Sequence, residues 1–478
     1  MDQILTAMQM KQADMSTIRG GTPSLILMER AAMAVVTVMQ KHQLDLSFPV
    51  IFCGTGNNGG DGLAIARILA DIGYAPVLIA PGGSGRFSEE RMRQEDMLRP
   101  YGLMQYEYPE REILSRATVL IDAMFGTGLT RPLQDTWADC TEKLNDAASE
   151  GIPVVAVDMP SGIHTDTGQV LGTAVKADVT VALAALKPGM LLDPGRQYAG
   201  KTEVMPIGVR LPEADAADDA FTEKVNTHPG FLKSASLSAE SSEPDPIRCR
   251  MRVAEQDLYA FPKRDETGNK GTFGKSLLIT GSRTICGAAY LSAVSALRSG
   301  IGMAKIYTEE SNRIPLAASL PEALISTYSD PEQDRDKSME DCGKVQSWDA
   351  EQLDLDLDWA DAILIGCGLG CGSMARRILS HVLEKSDKPL VLDADALNLL
   401  SEDIKPLKDY RGSCVITPHV LEMSRLTGKK VREIKADPCR AAAEFAAETG
   451  VTVLLKDAVS VAADPSGRVW IYADGCSA

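Results

Sequence analysis

The chain of 478 residues has no C-x-x-C, no G-x-x-x-x-G-K-[ST], no lysine- or arginine-rich run, and no apolar stretch near the ~18 residues that read as a membrane-spanning helix. Its ten cysteines are scattered, and the closest pair, Cys367 and Cys371, sits in a glycine-rich turn. Reduced thiols are therefore expected rather than a disulfide framework or a zinc site. Positive charge is short: 49 Lys and Arg against 66 Asp and Glu give a net charge of -17 and a pI near 4.9. That balance argues against a nucleic-acid partner, and any phosphate ligand must be held by local motifs rather than by a long-range field. The start, M-D-Q-I-L-T-A-M, carries no basic segment followed by an apolar one, so a cytoplasmic protein without membrane contact is expected.

What is present is ordinary globular material, 44% hydrophobic and 24% charged, in a length that calls for two domains of roughly 200 residues. The stretch Val50 to Gly62, V-I-F-C-G-T-G-N-N-G-G-D-G, runs from an apolar strand straight into glycines, two asparagines and an aspartate. Leu63 to Ile72 then has helical apolar spacing, with Asp61 at the position of a helix N-cap. Strand, glycine turn and helix start form an arrangement in which bare N–H groups and the helix dipole hold an anion. The spacing is not the dinucleotide fingerprint G-x-G-x-x-G followed by a ribose-binding acid. The Asn57-Asn58 pair beside Asp61 adds oxygen ligands for a hard cation and hydrogen bonds for a polar ligand.

The pattern repeats along the first half. Helices are expected over Met1 to Asp14 and Ser24 to Gln40, with Glu29 and Arg30 read as an exposed helical ion pair. The Met- and Leu-bearing faces of these two helices read as core packing or as the surface of a homo-oligomer. Pro76 to Ala80 is a short buried strand and Glu89 to Arg99 an exposed helix. The strand Thr118 to Asp122 ends in A-M-F and then Gly126-Thr127-Gly128-Leu129-Thr130-Arg131-Pro132; the strand Val154 to Val157 ends in Asp158-Met159-Pro160-Ser161-Gly162. In an open parallel sheet such carboxyl ends share one edge, where ligands bind. Asp122, Asp158 and Ser161 thus converge with Asn58 and Asp61. Each aspartate alone reads equally as a cap or turn former, but together they suit an alkali or alkaline-earth cation, or one carboxylate serves as acid/base.

The motifs G-N-N-G-G-D-G, D-A-M-F-G-T-G-L-T-R-P, D-M-P-S-G-I and L-K-P-G-M, in that order, resemble the NAD(P)H-hydrate epimerase domain, over residues 1–215. The resemblance implies a Rossmann-like three-layer α/β fold that interconverts the C6 epimers of hydrated NADH and NADPH. It implies substrate contacts from Asn57, Asn58, Gly59, Gly60, Asp61, from Gly126 to Pro132, and from Asp158. It further implies a potassium ion on Asn58, Asp122 and Ser161, with Asp158 as the acid/base and Asp61 an alternative. The family often has an uncharged residue where Arg30 stands.

Periodicity collapses from Leu211 to Cys249, an acidic and serine-rich stretch, and a linker is expected over 216–249. Strand and loop alternation then resumes to residue 478. His419 reads as a helix-start histidine, and Lys456 at a strand end meets phosphate or solvent. The motifs K-G-T-F-G-K, S-L-P-E-A, I-G-C-G-L-G, L-D-A-D-A-L-N and I-T-P-H resemble ADP- or ATP-dependent NAD(P)H-hydrate dehydratase, a ribokinase-like α/β fold, over 250–478. That resemblance implies phosphorylation of the hydrate hydroxyl by ADP or ATP with Mg2+, followed by phosphate loss. It implies Ala288, Gly368 and His419 at the hydrate, Lys456 on the nucleotide side, and Asp393 and Asn398 near the phosphates. The family continues into a G-[ST]-G-D motif, whereas this sequence ends Gly475-Cys476-Ser477-Ala478, so an incomplete second domain with an exposed edge and an impaired dehydratase is expected. The competing readings are a ribokinase-like small-molecule kinase and a nucleotide-binding scaffold without turnover.

Overall fold

Runs of five apolar residues with no polar face form strands buried on both sides, and such strands need helices on each face of their sheet. The computed structural model describes residues 2–81, 87–212, 247, 249–253, 267–330, 348 and 350–473. These fall into two compact units, the first holding 2–81, 87–212, 249–253 and 471–473, and the second 247, 267–330, 348 and 350–470. The expected linker lies outside the described residues apart from Ile247 and Cys249, as does the terminus 474–478.

The first unit opens with a short strand, β1 (Asp2–Ile4), antiparallel to β9 (Cys249–Arg252), where a helix was expected from Met1. Helices α1 (Ala7–Arg19) and α2 (Ser24–Lys41) follow, the first started by a Thr6–Gln9 capping box. Then come β2 (Pro49–Cys53), α3 (Asn57–Asp71), β3 (Val77–Ile79), α4 (Glu89–Leu98), β4 (Gln105–Tyr106), α5 (Arg111–Leu114), β5 (Val119–Ala123), α6 (Asp135–Ser149), β6 (Val154–Val157), β7 (Val179–Leu183), α7 (Gly195–Ala199) and β8 (Lys201–Met205). Among the described residues seven strands form a parallel sheet in the order β4-β3-β2-β5-β6-β7-β8. One face packs on α2 and α3 through residues such as Val35, Met39 and Leu63, the other on α6 through Cys140 and Leu144. Burying each such side chain contributes about 1.5–3 kcal/mol. The strand order reverses between β2 and β5, which opens a crevice at their carboxyl ends.

Glycine in this unit serves close approach. The helix α3 begins at Asn57, well before Leu63, so Asp61 stands one turn inside it and is not its cap. A Cβ on Gly59 would lie 1.9 Å from the Gly54 carbonyl oxygen, and one on Gly54 would lie 1.8 Å from that of Met124. Gly59, Gly60 and Gly62, within the first two turns of α3 and each costing about 1 kcal/mol against alanine, are retained because a Cβ would meet the Gly54 carbonyl, Met28 and Ala123 respectively. Gly59→Ala is therefore expected to destabilise the first unit by about 3 kcal/mol in thermal unfolding, whereas Gly56→Ala, with nothing within 4 Å and a negative φ, leaves stability within about 0.5 kcal/mol. Equal midpoints for the two variants would contradict this account of the glycines.

Two surface expectations are corrected. Glu29 does not pair with Arg30, a neighbour that points elsewhere on the helix; it accepts from Arg67 of α3 and from Gln94 Nε2 of α4 at 2.7 Å. Helix α4 is not simply exposed: Arg91 is 2% accessible and its Nε donates to the Gly54 carbonyl at 2.8 Å, which fastens the glycine turn.

The second unit is built on β10 (Lys275–Ile279), α8 (Cys286–Arg298), β11 (Met303–Glu309), α9 (Arg313–Ser319), β12 (Leu324–Tyr328), α10 (Glu351–Trp359), β13 (Ala362–Ile365), α11 (Ser373–Lys385), β14 (Leu390–Leu392), α12 (Asp395–Leu400), α13 (Lys405–Lys408), β15 (Cys414–Ile416), α14 (Val420–Thr427), α15 (Val431–Ala436), α16 (Pro438–Thr449), β16 (Thr452–Leu455) and β17 (Ser460–Ala463). Its strands run β17-β16-β15-β14-β13-β10-β11-β12, parallel except for β17 against β16, so the order reverses between β13 and β10. No helix among the described residues is long and apolar enough to cross a membrane.

Candidate active sites at the two strand-order reversals

A cavity of about 510 Å³ opens at the carboxyl ends of β2 and β5 in the first unit. The start of α3 forms one wall through Gly56, Asn57, Asn58 and Asp61, and the β5 loop another through Phe125, Gly126, Thr127, Gly128 and Leu129. Helices α1 and α2 contribute Met10, Asp14, Leu27 and Met28, and Asp158 enters past β6. Of the expected contacts, Gly59 and Gly60 are buried in the packing beneath, and Thr130, Arg131 and Pro132 are exposed beyond the lining.

Asp158 has φ +69°, a left-handed backbone that few residues other than glycine adopt. Its Oδ1 accepts from the Leu183 N–H at 3.2 Å and from the Lys187 ammonium, which also donates to the Leu183 carbonyl at 2.9 Å. Lys187 is fully buried. It belongs to the L-K-P-G-M motif, so its presence was legible, but its role depends on β7 lying beside β6. Oδ2 of Asp158 stands against Gly126, where a Cβ would come within 3.5 Å of it.

Behind this wall Asp122 is wholly buried. Its Oδ1 accepts from Ser161 Oγ at 2.6 Å and from the Met124 N–H at 3.2 Å, and its Oδ2 from the Ser161 N–H at 2.7 Å. Burial pushes its carboxyl up to about 6 despite the Ser161 bonds that lower it. Asn58 lies within reach of the same loop, since a Cβ on Gly126 would be 3.4 Å from its Oδ1, and its buried Nδ2 has no partner. Asp61, 9% accessible, is pushed well above the usual carboxylate range by burial, then by the charges of Asp158 and Asp14. Asp14 on α1 is driven up to about 6 by burial and by Asp158, against the opposing pull of Lys187. The sequence singled out Asp61, Asp122, Asp158, Asn58 and Ser161; it did not single out Asp14 or Lys187.

In the second unit the carboxyl ends of β13, β14, β15 and β16 bring a second group together. Lys456 Nζ donates to Asp393 Oδ1 at 2.8 Å, and Cys367 Sγ stands 3.6 Å from Asp393 Oδ2. Burial of Asp393 is outweighed by Lys456 and the Thr417 hydroxyl, so its carboxyl titrates below the usual range. Gly368, with φ +66°, abuts Ala288 on α8: a Cβ there would lie 2.7 Å from that of Ala288. His419 caps α14, its Nδ1 accepting from the Leu421 and Glu422 N–H groups at 3.1 and 3.2 Å, and its backbone is bridged to Lys456. Asn398 Oδ1 accepts from Arg425 Nη1 at 2.6 Å.

Sequence comparison places these two sites in families. Residues 24–189 match the YjeF-related protein N-terminus and residues 276–478 match NAD(P)H-hydrate dehydratase. The bifunctional NAD(P)H-hydrate repair enzyme of Thermofilum pendens is 33% identical over 95% of this chain and 80% of its own. The chain belongs to the family of bifunctional NAD(P)H-hydrate repair enzymes. The Escherichia coli member is 30% identical over 91% of this chain and 74% of its own length. Among solved structures, an ADP/ATP-dependent NAD(P)H-hydrate dehydratase from Bacillus subtilis, co-crystallised with ATP/Mg2+, is 31% identical over 46% of this chain and 72% of that one, with a TM-score of 0.36.

Proposed function

We propose that this member of the repair family exchanges the two C6 epimers of hydrated NADH and NADPH in the cavity of its first unit, and that its second unit holds the hydrate and ADP or ATP at a dehydratase site for which the G-[ST]-G-D motif of complete members is not in the sequence. The observation that carries the first assignment is Asp158. One oxygen is fastened by Leu183 and Lys187, while the other stands against Gly126 in the cavity wall. A carboxylate so oriented is a general base for the C6 hydroxyl. The α3 N-terminus, with Asn57 and Asn58 in its first turn, suits the diphosphate of the nucleotide.

The donor set around Asp122 fits a potassium ion. Asn58 Oδ1, the Asp122 carboxylate and Ser161 Oγ would hold it, and the buried Asp122 has no cationic partner among the described residues. Such an ion supplies the missing countercharge and fixes the β5 loop. In the second unit Asp393 is suited to Mg2+ and Lys456 to a nucleotide phosphate, and Asn398, whose Oδ1 accepts from Arg425, retains its amide N–H₂ as a donor to the phosphates. The exposed Met8, Ile26 and Met33 of α1 and α2 support the expected homo-oligomer.

Purified single epimers, incubated with the chain and followed by chromatography in potassium and in a bulky organic-cation buffer, test the cation reading. Exchange at least tenfold faster in potassium is expected, with the difference abolished in Ser161→Ala. Equal rates in both salts would remove the ion from the site.

A further inference from the structure

We propose that Asp14 is the acid partner of Asp158, delivering a proton to the ring nitrogen of the hydrate while Asp158 takes one from the C6 hydroxyl. The inference rests on the epimerase reading above. Asp14 and Asp158 come from different walls of one cavity, helix α1 and the loop past β6. Asp158 is fastened by a buried lysine, but Asp14 has neither hydrogen bond nor ion pair among the described residues. A half-buried carboxyl facing a cavity without a partner costs stability whenever it is charged, and it has no structural work to do there. The groups that face it are Asp61 from α3, Asp158, Lys187 and Glu90 from α4; Glu90 accepts from Ser24 Oγ at 2.9 Å, which holds it at the rim. Burial and the Asp158 charge raise Asp14 to about 6, while Asp158 accepts from the Lys187 ammonium. Two carboxyls of one cavity in such different surroundings divide into one acid and one base.

The chemistry closes on these two groups. Asp158 takes the hydroxyl proton; the C6–N1 bond breaks with its electron pair going to N1 as the C6–O bond becomes a carbonyl; N1 takes the proton of Asp14. The open aldehyde turns about C5–C6. The N1 pair then attacks the other face of C6, N1 returns its proton to Asp14, and the oxygen takes the proton back from Asp158. Both groups end as they began, and no further reactant is consumed.

Single-epimer exchange by the full chain, its Asp14→Asn and Asp14→Glu variants, measured between pH 5 and 8 with thermal unfolding alongside, tests this. Asp14→Asn is expected to slow exchange at least ~100-fold, with a thermal midpoint equal to or above that of the parent at pH 8, because a charge that opposes folding is gone. Asp14→Glu recovers part of the rate, and the parent loses rate as pH rises through about 6. A parent that exchanges while Asp14→Asn matches it, or a rate flat from pH 5 to 8, overturns the assignment. A parent that does not exchange at all overturns the epimerase reading instead.

Discussion

Replacing Asp158 by asparagine abolishes epimer exchange, a loss of ~10²–10⁴-fold or more, in a protein that still folds. The amide retains an oxygen to accept from the Leu183 N–H and from Lys187, so the left-handed turn that presents the side chain survives. What disappears is a group able to take the hydroxyl proton. The neighbours do not substitute for it: Asp61 is pushed strongly toward its protonated form, and Asp122 has its oxygens engaged by Ser161 and Met124. Exchange assayed by chromatography on one starting epimer decides the matter. An unchanged rate in Asp158→Asn would move the base elsewhere, with Asp61 the first to examine.

Lys187→Met is expected to cost about 3 kcal/mol of stability, and activity with it. The ammonium is fully buried, and it neutralises a carboxylate that otherwise faces Asp14 and Asp61 across the same cavity. Removing it strands the Asp158 charge against like charges in a poorly solvated place. The second change, Asp158→Asn on top of Lys187→Met, returns part of the lost stability because it removes the stranded charge, and returns no activity. Denaturant unfolding of the parent, both single variants and the double variant measures the coupling. Additive losses would mean that the two groups do not act as a pair.

Much of this site could be read before the fold was known, for a physical reason. Strands buried on both faces are continuous apolar runs, and the residues that follow them are the ones a parallel sheet gathers at one edge. That logic marked Asn58, Asp122, Asp158 and Ser161 in the first half, and Gly368, Asp393, His419 and Lys456 in the second. It failed where packing overrides local preference. Gly59 and Gly60 read as a turn, yet α3 starts at Asn57 because the helix must lie close under the β2 and β5 loops. The strand Val179–Leu183 is a plain apolar run, but only its place beside β6 makes Lys187 the partner of Asp158. Asp14 was hidden most deeply. On a helix with polar neighbours it reads as a solvated residue, and only the lie of α1 against the sheet edge turns it into the cavity. Glu29 illustrates the opposite error, since its partners Arg67 and Gln94 are 38 and 65 residues away.

The same contrast separates the two units. In the first, the carboxylates are crowded and two of them titrate near 6, a setting for proton transfer. In the second, Asp393, past the end of β14, is held below the usual carboxylate range by Lys456, past the end of β16, the electrostatics that the proposed phosphate and metal site asks for. Shuttling protons and handling a phosphoryl group ask for these different electrostatics, and the two halves of a repair enzyme divide them.

The most direct measurement follows one purified epimer of hydrated NADH, by chromatography and by the return of reduced nicotinamide absorbance, with this chain in potassium and with or without ADP or ATP and Mg2+. The account predicts conversion to the other epimer, without loss of hydrate when nucleotide is absent. A single epimer that persists unchanged in the presence of the folded chain and potassium would contradict it.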